Sequence, residues 1–111
     1  TLYRTLDTVG RQAAWLALWP LTGRTHQLRV HCAAIGAPIA GDGKYGGAGA
    51  FISADGVARS LHLHARALSL PHPSGKGELR LRADLPPHMA ATWRLFGLDA
   101  SRKDDPFADA V

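Results

Sequence analysis

One cysteine, one methionine and no long apolar run set the first limits on this chain. Cys32 has no second thiol in the sequence to pair with, so an internal disulfide is excluded and nothing points to an oxidising compartment. No apolar stretch approaches the roughly 18 residues of a membrane span, and the opening residues carry no signal-peptide pattern. The expectation is a cytoplasmic protein with no membrane partner. Acidic residues are also scarce, 9 against 13 Lys and Arg, for a formal net charge of +4. Residues 98–111 hold four Asp against Arg102 and Lys103, a balance of −2, whereas residues 1–97 carry +6. A body of that charge favours phosphate-bearing partners.

With 111 residues there is room for one domain and hardly two. A domain of this size removes roughly 65% of its unfolded surface from water, enough for one core without disulfides or a structural metal. The 46% hydrophobic and 20% charged fractions are those of a globular chain. The only methionine is Met89, and the chain opens on Thr1 in a strand-like alternation already under way. It reads as a piece of a longer protein.

The apolar pattern predicts two strands, 1–9 and 13–19, joined as a hairpin through Gly10-Arg11-Gln12. Pro20 ends the second. Thr22 is then the expected N-cap of a helix over about 24–35, with Gly36 as its left-handed stop and Leu28, Cys32 and Ile35 on a shared buried face. Residues 40–50 contain five glycines and read as a loop. Strands are predicted over 60–70 and 78–85 with a turn between them. A last helix over 88–96 turns Met89, Trp93 and Phe96 inward, and a polar, frayed tail follows from 98 to 111.

Chemistry concentrates in Leu21-Thr22-Gly23-Arg24-Thr25-His26-Gln27-Leu28-Arg29-Val30-His31, which puts two arginines, two histidines, two threonines and a glutamine at the start of one helix. Helix N-termini offer free N–H groups and partial positive charge to anions. The plainer reading is a solvated helix start with satisfied histidines. Other motifs are weaker. Gly41-Asp42-Gly43-Lys44-Tyr45-Gly46 fits G-x-G-x-x-G by letter but does not follow a strand, as a dinucleotide fingerprint must. Ser74-Gly75-Lys76-Gly77 lacks P-loop spacing, and no G-x-S-x-G occurs. His62 and His64 share a strand face and could hold a metal with His26 or His31, but no local carboxylate or cysteine completes the set. No metal is expected.

The run Pro20 to His31, then Gly36-Ala37-Pro38-Ile39-Ala40-Gly41-Asp42 and Tyr45-Gly46, resembles the third motif of the RluA-type pseudouridine synthases and the loop that follows it. Leu61-His62-Leu63-His64-Ala65 and His72-Pro73 are similar to a later stretch of that family, so the resemblance covers about residues 1–97. It implies an α+β fold, with a mixed, mostly antiparallel sheet flanked by helices. It also implies cofactor-free isomerisation of uridine to pseudouridine in RNA, either rRNA or tRNA. In that reaction an aspartate attacks or deprotonates, the glycosidic bond breaks, the uracil turns, and C5 bonds to the ribose. The target base is expected to flip out of its stack.

The family's catalytic aspartate belongs to an Arg-Leu-Asp motif, with a base-stacking tyrosine after it. Both should precede the arginine-histidine stretch, and neither occurs in this sequence. Asp7 follows Thr5-Leu6, not Arg-Leu, and Asp42 and Asp84 lack the context too. The resemblance therefore implies a C-terminal portion of the catalytic domain, residues 1–97, inactive without its N-terminal half. By the same resemblance Arg29 pairs with the upstream aspartate, Arg24, Thr25, His26 and Gln27 shape the RNA cleft, and Leu61 or Leu63 contacts the flipped base. The competing reading is a non-catalytic RNA-binding domain of the same descent, which the +6 body would serve equally.

Overall fold

The computed structural model describes residues 1–22, 26–52, 54, 56–71, 74–75, 77–102 and 106–107, with the backbone alone for 68–71 and 78–81. Strands β1 (Leu2–Val9) and β2 (Ala13–Trp19) pair antiparallel, from Leu2 opposite Trp19 to Val9 opposite Ala13. The register shifts between Thr5 and Asp7, leaving Leu6 as a one-residue bulge. Gly10, at φ +54°, supplies the left-handed turn residue that closes the hairpin.

Helix α1 (Gln27–Ala34) begins later than its sequence pattern predicts. Its N-cap is His26, not Thr22, and the Thr22 hydroxyl instead donates to Gln27 Oε1 at 2.7 Å. His26 takes a left-handed backbone, φ 54° and ψ 19°, a cost of roughly 1–2 kcal/mol for a residue with a Cβ. The other end matches expectation. Gly36 sits at φ +77°, its N–H donates to the Ala33 carbonyl, and Ala37 N–H donates to the Cys32 carbonyl, which is the Schellman stop. Because helical geometry ends at Ala34, Ile35 leaves the expected buried face and lies 58% exposed. Cys32 is buried and Leu28 half-buried.

The glycine-rich stretch is more ordered than a loop. It forms a one-turn helix α2 (Gly43–Gly46) and a 3-10 turn (Gly47–Ala50). Small residues permit this because α2 runs close to Pro38: a Cβ on Gly46 would stand 2.5 Å from Pro38 Cβ.

The strand predicted over 60–70 pairs only as β3 (Ala67–Pro71), antiparallel to β4 (Glu78–Arg82). Residues 61–66 run outside any ladder, because polar groups fasten them to separate elements. His62 N–H reaches the Ala40 carbonyl, His64 Nε2 donates to the Ala83 carbonyl, and Arg66 Nη1 donates to the same oxygen. The fold is α+β with antiparallel pairing, and the described strands form two separate ribbons, β1-β2 and β3-β4.

Helix α3 (Pro87–Phe96) opens with Pro87 at its first position, where a missing N–H costs nothing, and closes before Gly97 at φ +69°. Met89, Thr92 and Trp93 are buried on it. Trp93 meets Trp15 of β2 edge to face, so α3 and the first hairpin share a core. The tail is not wholly frayed: Phe107 is buried, its ring 5.7 Å from that of Trp19, and Arg102 Nη1 donates to the Leu6 carbonyl at 3.4 Å.

Candidate functional site

Asp42 lies between two glycines, and that setting explains its position. Gly41 has φ +85°, and a Cβ there would run into the Ser60 carbonyl, so only glycine lets the chain turn this tightly. The turn aims the Asp42 carboxylate inward, where it caps α2 by accepting from Tyr45 N–H at 3.3 Å. Asp42 is the most deeply buried polar residue among those described, at 1% exposure.

Arg29, one position round α1 from Leu28, reaches across to it. Its Nε donates to Asp42 Oδ2 at 3.1 Å and its Nη2 to Oδ1 at 2.7 Å. This bidentate pair satisfies a carboxylate that burial alone would penalise by several kcal/mol. The hydrogen bonds from Arg29 hold the Asp42 carboxyl below the usual range, over the opposing effect of burial. The same contact raises the Arg29 guanidinium further. Tyr45 completes the group, with its ring centroid 5.1 Å from Arg29 Cζ and its hydroxyl 2.9 Å from His26 Nδ1. His26 is thereby held in its left-handed conformation from across the site.

Arg29 lines an open cleft of about 290 Å³ together with Pro20, Thr22, His26, Gln27, Leu28 and Leu63. The structure thus brings together Arg29, His26, Gln27 and Leu63. Leu61 is not part of this lining, and its carbonyl accepts from His88 Nε2 instead. Arg24 and Thr25 lie outside the described residues. Gln27 is engaged within the chain, accepting from Thr22 and donating from Nε2 to Thr1 Oγ1 at 3.2 Å.

His62 spends both ring nitrogens on the protein. Nδ1 meets the Ser60 carbonyl at 2.7 Å and Nε2 meets Thr92 Oγ1 at 2.8 Å, the Thr92 hydroxyl itself also reaching the His88 carbonyl at 3.2 Å. Burial lowers its pKa and keeps the ring neutral. Among the described residues no three His, Cys, Asp or Glu side chains gather as metal ligands do. Burial raises the Cys32 thiol, making it a poor nucleophile.

Asp42 is the residue that sequence reasoning passes over. Without an Arg-Leu before it, it fails as a nucleophile, and no other role is visible in the motif. The signal that could have found it is its place between two glycines with a backbone N–H three residues on, the pattern of a buried cap.

No family model matches the chain. Curated relatives do. The chain is 37% identical over 91 residues to ribosomal large subunit pseudouridine synthase C of Vibrio cholerae, across 80% of this chain and 28% of that protein. It is 39% identical over 83 residues to the dual-specificity RNA pseudouridine synthase RluA of Escherichia coli, across 75% of this chain and 36% of that protein. Over a shorter stretch of 47 residues, 41% of this chain and 10% of the relative, it is 57% identical to RNA pseudouridine synthase 3, mitochondrial, of Oryza sativa. The chain belongs to the RluA-type pseudouridine synthase family. It spans between a tenth and about a third of the length of these relatives. In this RluA-type chain the cleft at Arg29 is open, and the Asp42 carboxylate is sealed behind the guanidinium.

Proposed function

We propose that this chain is part of an RNA pseudouridine synthase, acting in the cytoplasm on rRNA or tRNA, and that it supplies the arginine side of the active site. The observation that carries the reading is Arg29: a bidentate cation at the wall of an open cleft, on the residue that matches the family's third motif. Its partner in the reaction is an aspartate carried by an N-terminal half of the same catalytic domain. A nearby arginine keeps such a carboxylate ionised at neutral pH, ready to act as nucleophile or base. His26, Gln27 and Leu63 form the rest of the cleft wall on this side. Leu63, rather than Leu61, is the apolar residue for the flipped base.

The surface between α1 and the first hairpin supports an N-terminal half as a partner. Tyr3, Leu18, Leu28, Cys32 and Ile35 line a second open groove of about 300 Å³. Tyr3 and Ile35 are 56% and 58% exposed there, so the groove presents an apolar patch.

The test is to incubate unmodified RNA with the complete protein, with this chain alone, and with this chain plus a separately produced upstream fragment, and to count pseudouridine by mass spectrometry. Product from the complete protein, and from the mixture but not from the 111 residues alone, is the expected pattern. Product from the isolated chain overturns the split-site reading. RNA binding without product from the complete protein selects the non-catalytic alternative.

A further inference from the structure

A guanidinium presents two parallel pairs of N–H donors, one along Nε and Nη2 and one across the two terminal nitrogens. Asp42 fills the first pair of Arg29, through Nε to Oδ2 and Nη2 to Oδ1. Nη1 takes no partner among the described residues. The two pairs are not equivalent. A carboxylate on the terminal pair leaves the guanidinium free to swing about the bonds behind it. A carboxylate on the Nε pair grips the side chain from within and fixes the plane.

We propose that Asp42 is a positioning residue that grips Arg29 by its inner donor pair, so that the outer pair stands oriented for a second carboxylate in the cleft. The inference rests on the pseudouridine synthase reading, in which that second carboxylate is the aspartate of the reaction.

Three observations support it. Asp42 is itself immobilised: its N–H donates to Ile39, its own carbonyl accepts from Gly46 N–H, and Gly41 N–H donates to Ala50. The pair is also asymmetric in exposure. The Asp42 side chain is sealed at 0%, while that of Arg29 keeps 19% and lines the cleft. A bridge that served packing alone has no need of an open side, and apolar residues of similar volume usually serve packing as well or better. Finally, Tyr45 braces the same group from a second direction, its ring against the guanidinium and its N–H on Asp42 Oδ1. Arg29 is thus held at one edge and against a ring, which leaves Nη1 and the second hydrogen of Nη2 for the cleft.

The experiment uses the complete protein. Asp42→Asn keeps the shape but places an amide against the inner donors, and kcat is expected to fall about a hundredfold. The Kd for substrate RNA should stay within about twofold, because a side chain sealed from the cleft makes no contact there to lose. Asp42→Glu keeps the charge while displacing the guanidinium, and an intermediate loss of about tenfold is expected. In an Arg29→Lys background, Asp42→Asn should cost little more, since both changes act through one group. A readout independent of turnover is the Arg29 Nε–H resonance: slow to exchange in the wild type through its bond to Oδ2, and lost to fast exchange in Asp42→Asn. Wild-type kcat in Asp42→Asn, beside an inactive Arg29→Ala, overturns the proposal and leaves the enzyme reading standing. Equal losses from Asp42→Asn in the wild-type and Arg29→Lys backgrounds overturn it too, by making Asp42 a fold residue only. Failure of the wild-type protein to make pseudouridine removes the functional reading itself, and the proposal with it.

Discussion

The rings of Trp15 and Trp93 meet edge to face, with centroids 5.6 Å apart and planes at 76°. This contact joins the first hairpin to α3, elements far apart in sequence. Trp93 is buried at 8% exposure, and its indole N–H has no hydrogen-bond partner among the described residues. Trp93→Ala should therefore destabilise by about 3–5 kcal/mol through lost burial and the cavity left behind. Trp93→Phe should cost less than half of that, since it also removes an unsatisfied buried donor. Chemical denaturation of the two variants checks the order, and equal losses would refute the account of the N–H.

Stability should fall with acid in two stages. His62 has a pKa lowered mainly by burial, with the neighbouring His88 acting in the same direction. The unfolded chain therefore takes up a proton near the ordinary histidine value of about 6.5, while the fold resists it. That contribution is complete above about pH 6.5 and declines as pH drops below it. Asp42 has a lowered pKa because of Arg29, so its contribution is present above the ordinary carboxylate value of about 4 and is lost as pH falls through its folded value. Denaturant midpoints measured from about pH 8 to about pH 3 should show both declines. His62→Gln should flatten the first and leave the second.

Arg29→Ala in the complete protein should lower turnover by roughly a thousandfold, the scale of losing a key charge-stabilising donor. RNA affinity should change little, because Arg29 is paired with the Asp42 carboxylate rather than left free for a phosphate. Arg29→Lys should fail nearly as badly, since an ammonium cannot offer two donor pairs in one plane. Single-turnover rates and filter binding separate the two quantities. Near-normal turnover in the lysine variant would count against the role given to Arg29.

RNA binding by the complete protein should weaken steeply and log-linearly with salt, as phosphate contacts release counterions. Arg24→Ala should reduce that slope by about one contact and weaken binding evenly across RNA sequences. A slope unchanged by the substitution would place Arg24 away from the backbone of the RNA.

The sequence is most legible where a pattern has one solution. The first hairpin, the Gly36 stop and the Pro87 start follow from alternation and from residues with few backbone options. It misleads where side chains outcompete local preference. Thr22 is a good cap by type, but its hydroxyl is committed to Gln27, and α1 starts at a left-handed histidine that no propensity favours. Residues 61–66 alternate like a strand, yet His64 and Arg66 bind the Ala83 carbonyl and His62 bonds the Thr92 hydroxyl. At the site, Arg29 is legible from its motif. Asp42 is not, because a buried partner 13 residues away is set by the tight turn at Gly41, which no periodicity reveals.

The two ribbons carry a further consequence for how the molecule breathes. Among the described residues neither β1-β2 nor β3-β4 gains a third strand, so each ladder has open edges on both sides. Two strands alone are marginal in water. β1-β2 leans on α3 through Trp15, whose ring packs on the buried Trp93. Amide protons should therefore trade with deuterium in a graded order: first those on the outward edges of each ribbon, and last those of 90–96 on α3.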